Sequence, residues 1–337
     1  MIRTILALNS SDGVEPTASI RSYGSSRMLW LVCLFLAVLL FFSPCSSRAD
    51  NRDGPAPGMQ PVKIVDDLGQ TISLSRPAKR IIPLYGAFAE MLFSIGAGKS
   101  VIGRTQADKF PPELALLPSV GTHMRPDIEL IIGLKPDLVV ISASRKEEIQ
   151  GISRIVATGI PVAVFSPRTL DDMFSVLSRL GTLSDCAREA SPVAAKLRER
   201  LDAVREKLPA TERKQKVFFE IRAEPLTGAG QGSIVNDIIR AAGGDNVLKI
   251  EKGIVNYSLE RLLFEDPDVY IIQEGPMNKG PVDPRKRAHY DRLRCVREGR
   301  IIFADEFIFS RPGPRCVDAV ERLAAVLYPD RFEQRKE

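Results

Sequence analysis

One fifteen-residue pattern occurs twice in this chain, and it restricts the fold more than any other feature. Asp127-Ile128-Glu129-Leu130-Ile131-Ile132-Gly133-Leu134-Lys135-Pro136-Asp137-Leu138-Val139-Val140-Ile141 is matched by Ser258-Leu259-Glu260-Arg261-Leu262-Leu263-Phe264-Glu265-Asp266-Pro267-Asp268-Val269-Tyr270-Ile271-Ile272. Each copy runs from a helix-capping residue through an apolar residue, a Glu and two turns of helix to Pro-Asp and a β-branched strand. A single copy is a generic helix–loop–strand unit. Two copies predict two equivalent lobes, each presenting a Glu in the first turn of an equivalent helix. Taken alone, either Glu also has a local explanation, because an acid there complements the helix dipole by about 0.3–1 kcal/mol.

The surrounding sequence alternates strand and helix signals. Val62–Asp66 and Thr71–Leu74 flank an Asp-Leu-Gly-Gln turn and read as a small hairpin. Strand runs at 80–84, 101–103, 137–141 and 161–165 interleave with amphipathic helices at 88–96, 127–134, 146–158 and 170–181. A second series has strands at 216–221, 268–273 and 300–304, a helix at 233–242 closed by Gly243-Gly244, and a last helix from Pro314. Such alternation implies parallel sheets in doubly wound, Rossmann-like α/β layers. Between the series, Val193, Leu197, Leu201, Val204 and Leu208 recur at helical spacing. Ser191 suits the N-cap and Pro192 the first helical position, leaving 186–190 as a separate turn or a kink. The expected fold class is therefore α/β: a lobe over 62–185, a single bridging helix over 186–209 and a second lobe over 210–337.

The first 49 residues stand outside this scheme. Met28–Phe42 is an unbroken apolar run of 15 residues with Arg21 and Arg27 upstream and small residues at Ser47 and Ala49. It is shorter than the ~20 residues that span a bilayer, so it reads as a secretory signal peptide cut before Asp50, with 50–61 as a linker. The other readings are an uncleaved anchor and a lipid on Cys45, although Phe42-Ser43-Pro44 is a poor lipobox. Cleavage removes Trp30, the only tryptophan. It leaves Cys186, Cys295 and Cys316, and either Cys295 and Cys316 pair in an oxidising compartment or all three are buried thiols.

Among 337 residues, 47 Lys and Arg against 42 Asp and Glu give a net charge of +5. The bases are interleaved with acids, so the charge is no nucleic-acid footprint. Two His exclude a zinc site built from several imidazoles. No nucleophile elbow, P-loop or Cys/His pairing is present, and an enzyme on this frame would have to draw on Asp108, His123 and Asp305.

Several further segments carry a resemblance: Val65-Asp66-Asp67-Leu68-Gly69, Arg80-Ile81-Ile82-Pro83, Glu90–Gly98, Leu134–Val139, Ala242-Gly243-Gly244-Asp245-Asn246 and Arg311-Pro312-Gly313-Pro314-Arg315. In this order, over 62–330, they resemble the periplasmic substrate-binding proteins of ABC importers for iron–siderophores, cobalamin and haem. The resemblance implies a monomeric, non-enzymatic periplasmic protein with no resident cofactor. Its cargo would be an iron chelate or similar anionic metal complex, and its partner a permease dimer with its ATPase subunits. By motif position it implies that Glu129 and Glu260 dock to permease arginines, through charge-assisted contacts from a rigid body. Glu90 has no second-lobe counterpart and reads as structural.

In doubly wound lobes ligands approach the loops beyond the carboxyl ends of the strands. Arginines recur there at Arg104, Arg125, Arg145, Arg222 and Arg311, and guanidinium groups suit an anionic ligand. The competing reading is solvated surface arginine paired with Glu147, Glu148 or Glu224. Tyr85 or Tyr257 with His123 could ligate iron as in a haem site, though haem-binding relatives usually carry a Tyr where this chain has Thr122. The cleaved chain has no tryptophan to stack a corrin, which weighs against cobalamin; Tyr85, Phe88, Tyr257 and Phe309 still offer aromatic faces. An oxyanion such as molybdate is a further alternative.

Overall fold

The computed structural model describes residues 61–142, 151–210 and 213–332. The signal-peptide run, nearly all of the linker and Arg145 lie outside the described residues. Among the described residues no helix is long and apolar enough to cross a membrane.

The chain opens on hairpin β1 (Val62–Val65) and β2 (Thr71–Leu74). Its turn is built by Asp66, whose carboxylate accepts the Leu68 and Gln70 N–H groups at 3.0 and 2.9 Å. Gly69, at φ +74°, takes the left-handed position the turn requires. The first lobe then contains β3 (Ile81–Pro83), α1 (Gly86–Ser94), α2 (Ile128–Gly133), β4 (Leu138–Ser142), α3 (Ile152–Ala157), β5 (Val162–Phe165) and α4 (Leu170–Ser184). Its sheet is parallel, in the order β3-β4-β5. Residues 101–103 contribute only an isolated bridge, from Val101 to Ile81, rather than a strand.

The helix that follows, α5 (Ala187–Lys207), corrects the sequence expectation at its start. It runs through Pro192 without a break. Proline removes its own N–H bond to the preceding turn and crowds the carbonyl four residues back. That loss falls near the helix start, and close packing holds the segment: a Cβ on Gly181 of α4 would lie 2.8 Å from the Ala190 Cβ. The buried stripe of α5 is Ala190, Leu197 and Val204, seven residues apart, the spacing of a coiled-coil seam.

The second lobe contains β6 (Lys216–Arg222), β7 (Thr227–Ala229), α6 (Ile234–Ala241), β8 (Asp245–Asn246), β9 (Ile254–Asn256), α7 (Leu259–Glu265), β10 (Val269–Glu274), α8 (Arg294–Arg297), β11 (Ile301–Asp305), α9 (Glu306–Phe309), α10 (Cys316–Leu327) and α11 (Pro329–Phe332). Its sheet runs β11-β10-β6-β7-β9, with β8 also on β6. The β11-β10-β6 part is parallel, while β7 and β9 pair antiparallel. The short Thr-Gly-Ala and Ile-Val-Asn strands carry too few alternating residues to be read from sequence.

Alternate residues of β4 enter different apolar clusters: Leu138 and Val140 one, Val139 and Ile141 the other. Both faces of the sheet are thus covered, as parallel sheets require. One of these clusters extends without interruption from Ile64, Phe88 and Phe165 of the first lobe to Phe219, Ile238 and Phe309 of the second. Arg200 of α5 adds a polar clamp, forking onto Asp318 and Glu321 of α10 at 2.6–2.8 Å.

The duplicated sequence pattern is duplicated in atomic detail. Asp127 and Ser258 cap their helices by accepting the N–H groups of Leu130 and Arg261. Lys135 and Asp266, each two residues before the Asp, take left-handed backbones at φ 49° and 42°. Asp137 then accepts the Lys79 and Arg80 N–H groups at 2.9 Å, while Asp268 accepts the Lys216 N–H at 2.7 Å. The register agrees as well, with Ile81 opposite Leu138 and Val217 opposite Val269. In each lobe the aspartate clasps the entrance of the neighbouring strand and fixes the register of the central pair.

Candidate functional site

Parallel strands direct their carboxyl ends, and the loops beyond them, toward one edge of each sheet. In the second lobe those loops begin at Arg222, Glu274 and Asp305, the last residues of β6, β10 and β11. In the first lobe the corresponding loop begins after β3, at Tyr85.

Between these edges the lobes meet through two ion pairs. Arg311 reaches Asp108 at 3.0 Å, and Arg315 forks onto both oxygens of Glu90 at 2.8 and 2.5 Å. Both carboxylates are almost fully buried. Burial pushes the Glu90 carboxyl above its ordinary range despite the bonds from Arg315. Each guanidinium also lies on an aromatic ring, Arg311 at 4.3 Å from the Phe307 centroid and Arg315 at 4.3 Å from Phe110. These side chains enclose a cavity of about 110 Å³. Gly86 makes the approach feasible, because a Cβ there would lie 2.2 Å from Nη1 of Arg311 and 2.3 Å from Oδ1 of Asp108.

Tyr85, His123 and Arg311, three of the residues singled out from sequence, come together here. The Tyr85 ring sits edge-on to His123 at 6.2 Å and beneath Arg311 at 5.8 Å. Burial lifts the Tyr85 phenol to about 12. Burial, with the positive charge of Arg311, lowers the His123 imidazole below its ordinary value, so it is neutral near pH 7.

The remaining candidates are dispersed. Arg104 turns inward onto the carbonyls of Leu117, Thr105 and Asp108 at 3.2, 3.1 and 3.4 Å, and holds the 105–117 loop. Arg125 is exposed on the 121–126 bridge loop. Tyr257 packs beside Phe218 with Arg261 over its ring at 5.4 Å, away from the Tyr85 group. Arg222 is exposed at the end of β6 and lines a wide depression of about 670 Å³ together with Lys279, Lys286 and Arg287. Arg287 is bound to the buried Glu220. Among the described residues, Arg222, Lys279 and Lys286 have no ion-pair partner. Lys279 and Lys286 went unread in the sequence because they stand in a Gly- and Pro-rich segment without periodicity. The pairing of Glu90 and Asp108 with arginines of the other lobe had no local signal either.

The cysteines settle on the unpaired alternative. Cys186, Cys295 and Cys316 are all free. Cys295 is buried in the outer cluster of the second lobe, whereas Cys316 caps the loop at Arg311 with its thiol toward the Arg311 carbonyl. Cys295 and Cys316 belong to different apolar clusters and are not bridged.

Glu129 and Glu260 both stand exposed on the second turn-position of α2 and α7. Arg154 pairs with Glu129. Glu260 has no ion-pair partner among the described residues. Its own N–H and the Ser258 hydroxyl hold its carboxyl below the usual range.

Comparison with known proteins agrees with this architecture. The periplasmic binding protein family matches residues 81–306. A Bacillus subtilis protein described as the uncharacterized ABC transporter substrate-binding lipoprotein YvrC is 26% identical over 314 residues, spanning 91% of this chain and 98% of its own. A vitamin B12-binding protein of Vibrio cholerae is 25% identical over 252 residues, 74% of this chain and 90% of that protein. The periplasmic heme-binding protein RhuT of Roseiflexus, in apo form, superposes with a TM-score of 0.66 at 26% identity, covering 76% of this chain and all of that one. An enzymatic role for Asp108, His123 and Asp305 is thereby set aside. The chain belongs to the periplasmic binding protein family and is a substrate-binding component of an ABC importer of the cobalamin, siderophore and haem type.

Proposed function

We propose that this protein, once secreted, captures an anionic iron chelate in the space between its lobes and delivers it to an ABC permease docked on Glu129 and Glu260. The observation that carries the ligand class is the trio Arg222, Lys279 and Lys286, three cations without ion-pair partners among the described residues, around one depression of the second lobe that a single further acid, Glu224, also lines, at the carboxyl ends of β6 and β10. Cations left unpaired around a concave surface favour a multiply charged anion, and Arg222 adds forked geometry suited to carboxylate or catecholate oxygens. Arg104 is held by carbonyls of its own loop through Nε and Nη1, and Arg311 by Asp108 through Nη1, so both are less available to a ligand than Arg222. A Bacillus subtilis relative, 23% identical over 296 residues, is described as a Fe(3+)-citrate-binding protein, which is the same charge class.

Haem is the second reading, and the contact of Tyr85 with a neutral His123 favours it. Titration of the protein with ferric citrate, a ferric hydroxamate, haemin, cyanocobalamin and molybdate, followed by tyrosine fluorescence and calorimetry, separates these. Ferric citrate should bind, and Arg222→Ala with Lys286→Ala should weaken it at least tenfold, each charged hydrogen bond contributing about 1.5–3 kcal/mol. Binding of cyanocobalamin alone, or ferric citrate affinity indifferent to the double substitution, refutes the anionic-chelate reading.

A further inference from the structure

The two acidic knobs are equivalent in backbone but not in what surrounds them. When the repeats are aligned, Glu129 matches Glu260, and Gly133 matches Phe264. Phe264 lies four residues after Glu260, so both share one face of α7, a single turn apart. Its ring is 87% exposed. Leu262 already seals the inner face of that helix at zero exposure, so the phenyl group gains nothing from folding. The acids differ as well. Glu129 is partly neutralised by Arg154, whereas Glu260 is ionised, unpaired among the described residues and oriented by Ser258.

We propose that permease docking is lopsided. The second-lobe knob supplies most of the contact, with Phe264 entering an apolar recess beside the permease cation that receives Glu260. The inference rests on the docking reading of Glu129 and Glu260 and deepens it. An unpaired carboxylate beside a protruding aromatic ring is complementary to a surface that offers a cation and a pocket together. Aromatic anchors next to desolvated charge pairs carry most of the binding energy at protein interfaces. The glycine in the matching first-lobe position leaves that knob without an aromatic anchor, although Leu130 beside Glu129 is partly exposed, and a screened charge contributes to encounter more than to affinity. On a two-fold permease the second-lobe knob would anchor equally well at either of the two identical half-sites, so the inequality lies between the knobs and not between orientations.

The test uses the full chain and the importer, reconstituted in nanodiscs, whose ATPase the wild-type protein stimulates. Phe264→Ala should raise the concentration for half-maximal stimulation about tenfold, with an unchanged melting temperature because the ring packs on nothing. Phe264→Leu should recover part of the loss, and Glu260→Ala should cost more than Glu129→Ala. If the Glu129→Ala, Glu260→Ala double variant loses stimulation while Phe264→Ala matches wild type, the docking reading stands and the lopsided contact is overturned. If the double variant stimulates normally, or no importer responds to the wild type, the docking reading itself fails. Concentration-dependent dimers in sedimentation that vanish in Phe264→Ala would assign the ring to a second copy of the chain and also overturn the proposal.

Discussion

Replacing Asp268 by Ala should unfold the second lobe more readily than any exposed acid-to-alanine change, and the structure sets the size of the effect. Its carboxylate is 4% exposed and accepts the Lys216 N–H at 2.7 Å, Arg213 at 2.9 and 3.0 Å, and Arg294. The two guanidinium groups reach solvent, so their pairs contribute at most about 1 kcal/mol each. The strand N–H is partly buried and would lose its charged acceptor, and a hydrogen bond to a charged group is worth about 1.5–3 kcal/mol. The expected loss is about 3 kcal/mol, with Asp268→Asn recovering part of it through its remaining oxygen. Burial pushes the Asp268 carboxyl up, but the bonds from Lys216, Arg294 and Arg213 outweigh burial and hold it below 3.8. A depressed carboxyl stabilises the fold above its unfolded value and loses that contribution as pH falls through the folded value. The gap between wild type and Asp268→Ala in urea unfolding should therefore be full at pH 7 and shrink below about pH 3.8. A gap of under 0.5 kcal/mol at pH 7, the usual range for surface changes, or one that persists undiminished in acid would refute the clasp.

Three other outcomes follow from the same geometry. Glu90→Leu should destabilise the protein by about 3–5 kcal/mol because it strands Arg315, whereas Glu90→Leu combined with Arg315→Met should recover most of that loss in calorimetry; strictly additive effects would count against the pair. Gly86→Ala should separate Arg311 from Asp108 and lower the melting temperature, since its Cβ would overlap both groups; an unchanged melting temperature contradicts the close approach. Among Cys186, Cys295 and Cys316, only the half-buried Cys186 should react with a thiol reagent under native conditions, burial having raised the Cys295 and Cys316 thiols to about 12; prompt labelling of either of those two would contradict it.

Local chemistry was legible in the sequence wherever it repeated at short range. The capped helix, the Pro-Asp and the strand of each lobe occupy one short window, and the structure adds only what the aspartate clasps. The α/β alternation and the two-lobed frame were legible for the same reason. Pro192 misled, because proline marks helix starts by local preference, while the packing of Ala190 on Gly181 is a tertiary fact. The site was the least legible part. Arg104 and Arg311 look alike in sequence, yet one is consumed by carbonyls of its own loop and the other by a carboxylate about two hundred residues away. Which guanidinium is free for a ligand depends on partners that no spacing rule reaches.

The apolar cluster that passes through both lobes has a further consequence. Each half keeps a smaller apolar cluster of its own, but the largest one is shared, so heat or denaturant should melt the molecule in one cooperative step rather than two. A protease cut between the halves would yield fragments that stay associated or precipitate instead of surviving separately. A molecule built this way cannot signal cargo by swinging widely, and its loaded state must be announced by small displacements at the rim.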